Sequence, residues 1–199
     1  QMCIRDSING VSLYNQFTGT GAVAVTDEIV DDCGGHPANE TYHYHAYPEC
    51  GALAAEDRLG FEGIHSGLVG LSRDGFPILG PFGFNDPSDA NSDVVRLESC
   101  YALTECTDET DASCYAFDDA AHSAGTCHLD ACNGRIAAVP PALQAALGSE
   151  IYAYHMTLDD AGLPAFPYQP YCYRGDYTVT GGGTGPGAGP GSGPPQQPP

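Results

Sequence analysis

The sequence predicts a mainly β single domain, stapled by disulfides, β-rich with long loops and one or two short helices, and built on a degenerate internal repeat. Three observations predict it. Short segments alternate aromatic and polar residues with the period of a strand. Turns rich in glycine and proline separate those segments, and eight cysteines are spread over the same stretch.

The repeat comes first in the argument. One copy reads Asp31-Asp32-Cys33-Gly34-Gly35-His36, then Tyr42-His43-Tyr44-His45, then Pro48-Glu49-Cys50. The other reads Asp130-Ala131-Cys132-Asn133-Gly134-Arg135, then Tyr152-Ala153-Tyr154-His155, then Pro170-Tyr171-Cys172. Successive strand residues point to opposite faces, so Tyr-x-Tyr-His places two tyrosines on one face and the alternate residues on the other. Tyr42, Tyr44, Tyr152 and Tyr154 are expected in the core. Leu68 to Leu71 reads as a further strand, and Asp74-Gly75 between apolar runs as a hairpin turn. Gly80-Pro81 ends that pairing. Pro140 to Gly148 reads as a short helix with proline in its first turn and glycine just past its end.

Cysteine usage sets the compartment. The chain has nine cysteines, a load that an oxidising environment pairs and a reducing one leaves reactive. No C-x-x-C spacing occurs to begin a structural zinc site. Equivalent cysteines bracket each Tyr-x-Tyr-His, which predicts Cys33–Cys50 and Cys132–Cys172. Cys100, Cys106, Cys114 and Cys127 are left to pair among themselves, with the connectivity open. An extracellular or periplasmic protein follows.

The ends read differently from the middle. Residues 1–7 resemble translated sequencing-adapter read-through, which removes Cys3 and leaves an even count. Residues 8–180 are the expected domain, with its motif core at 31–175. Residues 85–128 form an acidic, cysteine-rich excursion with little regular structure expected. Within it, Asp89-x-Asn91-x-Asp93 opens like a calcium loop. Val94 and Cys100 then stand where glycine and a bidentate glutamate are needed, so a solvated turn is expected. Residues 181–199, almost wholly glycine and proline, read as a disordered linker or tail able to tether another domain.

Charge excludes some functions. With 26 acidic residues against 6 basic ones, the net charge is −20, and there is no cationic stripe for nucleic acid. No apolar run approaches the roughly 18 residues of a membrane span.

The ordered blocks carry a resemblance. Asp-x-Cys-x-Gly-His, Tyr42-His43-Tyr44-His45, His65-Ser66, Asp74-Gly75-Phe76-Pro77-Ile78, Gly80-Pro81, Leu129 to Gly134, and Phe166-Pro167-Tyr168 through Cys172-Tyr173-Arg174-Gly175 occur in the order seen in YHYH-domain proteins. The chain resembles that family over about Asp31 to Gly175. The resemblance implies a secreted or periplasmic domain and no particular reaction. Arg135 and Ala153, where the first copy has His36 and His43, depart from a symmetric two-site arrangement.

Histidines carry the functional expectation. His43 and His45 aim both imidazoles one way, which suits a metal ion needing convergent nitrogens. His65, His155 and His36 complete the candidate ligand set. Imidazole donors without thiolate favour copper or zinc over calcium or magnesium. Three functions remain open at this level: a transition-metal-binding domain, a non-catalytic surface or matrix module in which the motif is architecture, and a metal-dependent secreted enzyme.

Overall fold

Two tight hairpins start the two halves of the domain. In the first, β1 (Cys3–Asp6) pairs antiparallel with β2 (Ser12–Tyr14). The intervening turn is closed by the Ser7 hydroxyl, which donates to Asn9 Oδ1 and to Val11 O, with Gly10 at φ 83°. A single turn of helix, α1 (Ala24–Asp27), follows. The next hairpin joins β3 (Gly35–Ala38) to β4 (Thr41–Tyr44), and β4 lies parallel to β2. The sheet order is β1-β2-β4-β3. The computed structural model describes residues 3–27, 30–38, 40–48, 50, 63–104, 106, 108–141 and 144–176. The expected tail at 181–199 lies outside the described residues, as do residues 1–2 and 177–180.

The second half also opens on a hairpin. β5 (Leu68–Leu71) and β6 (Pro77–Leu79) form an antiparallel hairpin whose turn has the Ser72 hydroxyl donating to Asp74 Oδ1 and Gly75 at φ 90°. That is the Asp-Gly turn expected from sequence. Gly80 then takes the chain off the strand, and the excursion begins.

The excursion is more regular than its composition suggests. β7 (Phe82–Phe84) pairs with β8 (Val94–Arg96), and β9 (Tyr101–Leu103) pairs with β10 (Tyr115–Phe117). α2 (Asp119–Ala124) has Asp118 as its N-cap, accepting from Ala121 N, and Gly125 in the left-handed region at its end. The expectation of little regular structure is therefore corrected. Its acidic residues turn the chain: Asp86, Asp89 and Asp108 each accept from the amide two residues on. Two disulfides hold the segment, Cys100–Cys127 and Cys106–Cys114, which settles the connectivity that sequence left open.

The chain then re-enters the second sheet. β11 (Gly134–Ala138) pairs antiparallel with β12 (Glu150–His155), and β12 lies parallel to β6, giving the order β11-β12-β6-β5. Between β11 and β12 sits α3 (Gln144–Leu147), with Gly148 at φ 84° just past its end. The two sheets meet edge to edge where Ser7 bridges Gly70 and Ile8 N donates to Val69 O. Residues 3–6 run as β1, and Ser7 closes the turn that follows.

Tyrosines from both halves fill the shared core. Tyr44, Tyr152 and Tyr154 pack with Leu13, Val69, Ile78 and Met156, and Tyr42 packs against their edge. Their hydroxyls are anchored. Asp31 accepts from Tyr42, Cys33 N and Gly35 N; Asp130 accepts from Tyr152, Cys132 N and Gly134 N. Burial, reinforced by the adjacent aspartate, raises the proton affinity of Tyr42 and Tyr152, so both phenols stay donors. Tyr154 donates to Asp74 Oδ2 at 2.6 Å, and Gly175 N donates to the same oxygen. The bracketing disulfides Cys33–Cys50 and Cys132–Cys172 are formed as expected. Among the described residues no helix is long and apolar enough to cross a membrane.

The close packing of hairpin on tyrosine leaves no room at Gly35. A Cβ there would lie 2.5 Å from His43 O and 2.7 Å from the Tyr42 hydroxyl. Gly35→Ala is expected to destabilise the domain by about 1–3 kcal/mol, the usual cost of overpacking. Thermal or denaturant unfolding of the oxidised protein measures it, and a loss under about 0.5 kcal/mol, the range of ordinary surface substitutions, would contradict this packing.

Candidate metal centre

The hairpin β3–β4 builds the site on the face opposite the tyrosine core. Alternation along β4 sends Tyr42 and Tyr44 inward and His43 to the other side. His45, just past the end of β4, follows on that side. His36 lies directly across the hairpin from His43 in register. The three rings converge: centroids are 4.6 Å apart for His36 and His43, 5.2 Å for His36 and His45, and 4.8 Å for His43 and His45. A nitrogen from each lies within 4.8 Å of the other two. His43 and His45 are fully buried, and His36 is partly exposed at the edge.

Backbone carbonyls fix which nitrogens face inward. His43 Nδ1 lies 3.2 Å from Thr41 O, and His45 Nδ1 lies 2.8 Å from Asn15 O. A carbonyl only accepts, so an Nδ1 that bonds one is the donor there. The two Nε2 atoms are 3.1 Å apart. That spacing is also hydrogen-bond distance, and with His36 the two rings form a group able to hold a metal ion. Two metal–nitrogen bonds of about 2.0–2.1 Å at a tetrahedral angle separate the nitrogens by roughly 3.3 Å, close to the distance found. Carbonyl acceptance at the far nitrogen is also the usual way that ligating histidines are oriented.

Burial keeps His45 neutral. Burial pushes the His45 pKa down to about 4; the Asn15 carbonyl works the other way, and His43 and His36 lower it further. An imidazole that is uncharged at neutral pH needs no deprotonation before coordination.

Tyr14 and Asn15 are the participants that sequence reasoning missed. The Tyr14 ring stacks on His43 at 3.9 Å and 21°, and stands edge-on to His45 at 5.9 Å. The signal for them was present. Ser7-x-Asn9-Gly10 is similar to Ser72-x-Asp74-Gly75, and the pairing of β2 with β4 brings residues 14 and 15 beside the motif strand.

His65 and His155 are not gathered with these three. His155 Nδ1 donates to Gly80 O at 2.9 Å, and burial pushes its pKa down to about 3. His65 Nδ1 donates to Ser66 O, and its ring lies 4.6 Å from that of Phe84 on β7. Both belong to the second half, while His36, His43 and His45 belong to the first. The five candidates therefore divide into a cluster of three and a separate pair.

Comparison with curated proteins and with solved structures gave no match. A family model described as YHYH protein matches residues 6–175, covering β2 to β12 and the four disulfides of the described residues, and the chain belongs to that family.

Proposed function

We propose that this YHYH domain binds one transition-metal ion, copper or zinc, through Nε2 of His43 and His45, with His36 as the third ligand. The observation that carries the reading is the convergence of three imidazoles, with one nitrogen of each within 4.8 Å of the others and Nε2 of His43 and His45 3.1 Å apart. Four disulfides fit an oxidising, extracytoplasmic setting for the domain. In that setting the eight paired cysteines offer no thiolate, and imidazoles are the strong donors that the cluster supplies. Three imidazoles also match the donor count of zinc sites that keep a position for water or substrate. A metal-dependent enzyme is therefore the natural extension of this reading.

The competing architectural reading rests on His45 itself, whose buried Nδ1 bond to Asn15 O ties the motif strand to the loop after β2. Elemental analysis of untagged protein, incubated with copper or zinc and desalted, separates the two. One equivalent per chain is expected. Less than a tenth of an equivalent for both metals, in a folded and oxidised sample, overturns the metal reading and leaves the architectural one.

A further inference from the structure

The face of the second sheet that corresponds to the three-histidine pocket has an arginine in it. We propose that Arg135 is the built-in cation of a latent second copy of this site: the guanidinium stands where the first copy takes a metal, so the chain holds one metal centre, not two. This rests on the metal reading above for the first copy.

The correspondence is backbone geometry. Gly35 pairs with Tyr44 and Gly134 with Tyr154. His45 N donates to Gly34 O and His155 N to Asn133 O, both at 2.9 Å. His45 Nδ1 donates to the carbonyl of the residue that follows β2, and His155 Nδ1 to that of the residue that follows β6. His155 thus holds the place of His45, in the same tautomer, with its Nε2 lone pair left as an acceptor.

Three positions around that lone pair differ together. Arg135 replaces His36, and Ala153, its register partner, replaces His43. Leu79 replaces Tyr14, since Tyr44 pairs with Leu13 and Tyr154 with Ile78. The changes are concerted in volume and charge. Removing one imidazole at 153 makes room for a long side chain at 135, and the ring that would stack on the missing imidazole is absent too.

The guanidinium is built into the fold. Arg135 is 8% exposed, its Nη2 donates to Phe84 O at 2.6 Å, and its Nε is buried without a partner. Gly83 leaves space for it, because a Cβ there would lie 2.7 Å from that Nη2. No carboxylate among the described residues pairs with Arg135. A buried cation without an anion costs several kcal/mol unless neutral acceptors surround it. The Phe84 carbonyl is such an acceptor, and the His155 imidazole lies near enough to feel the guanidinium charge. Arginine keeps its proton, so it offers the imidazole a charge and never a coordination bond.

Exchanging the pockets tests this. Arg135→His with Ala153→His should create a second centre: zinc bound after dialysis rises from one equivalent per chain to two. In a His43→Ala, His45→Ala background it rises from none to one. The reverse exchange, His36→Arg with His43→Ala, should fold without metal, bind no zinc and show a Tm indifferent to chelator. A folded Arg135→His, Ala153→His protein that gains no zinc overturns the proposal, as does failure of both exchanges to yield a folded, oxidised protein. If the native chain binds no zinc while the Arg135→His, Ala153→His protein binds one equivalent, the function proposed for the first pocket fails and the latent site stands.

Discussion

His43→Ala is expected to weaken zinc or copper binding at least about 100-fold, since loss of even an outer-shell partner of a ligand costs 10–100-fold. His43 supplies one of the three imidazoles of the cluster, and is fully buried. His45→Ala should do the same, with an added loss of stability because His45 also ties its segment to Asn15 O. His65→Ala is the decisive companion. Sequence alone places His65 in the ligand set, whereas the structure sets it beside Phe84 in the other half. It should keep one equivalent at undiminished affinity. Competition titration against a chromophoric chelator reads all three variants. Equal losses for His65→Ala and His43→Ala would mean that the pocket assigned to the first half is wrong.

Acid should unfold the protein through its buried histidines. His45 and His155 have pKa values of about 4 and about 3 in the folded state, against an ordinary value of 6.5. The unfolded chain therefore binds more protons than the native one throughout that window. Their contribution to stability is complete above pH 6.5 and is lost as the pH falls toward 4 for His45 and 3 for His155. Each histidine contributes up to about 1.4 kcal/mol per pH unit across its window. Denaturant unfolding at stepped pH, without metal, should show stability falling steadily below pH 6.5. With zinc bound the fall should be steeper, since protons then also displace the ion. Stability that is flat from neutrality to pH 4 would mean that these rings are not held neutral in the native state.

Much of the architecture follows from local sequence signals. Alternation in Tyr-x-Tyr-His, the Asp74-Gly75 turn and the glycine after the insert at 140–148 each act within a few residues, and each appears as a strand, a hairpin or a short helix. The cysteines that bracket each motif strand pair as their equivalence implies, because both ends of each loop belong to one hairpin. The excursion was misread for a local reason. Its aspartates look like features of an unstructured acidic loop, yet each closes a turn that lets short strands pair.

By itself the sequence determined the β-rich plan, the bracketing disulfides and the pairing of His43 with His45 on one side of a strand, since period and turn chemistry act over short spans of chain. Only the tertiary structure decided which other histidine joins them. His36 enters because antiparallel register sets it opposite His43, while His65 and His155 are drawn away by a second sheet whose own pocket is filled by Arg135. Contacts across register and between sheets depend on how distant segments pack, and residue spacing along one chain carries no record of that.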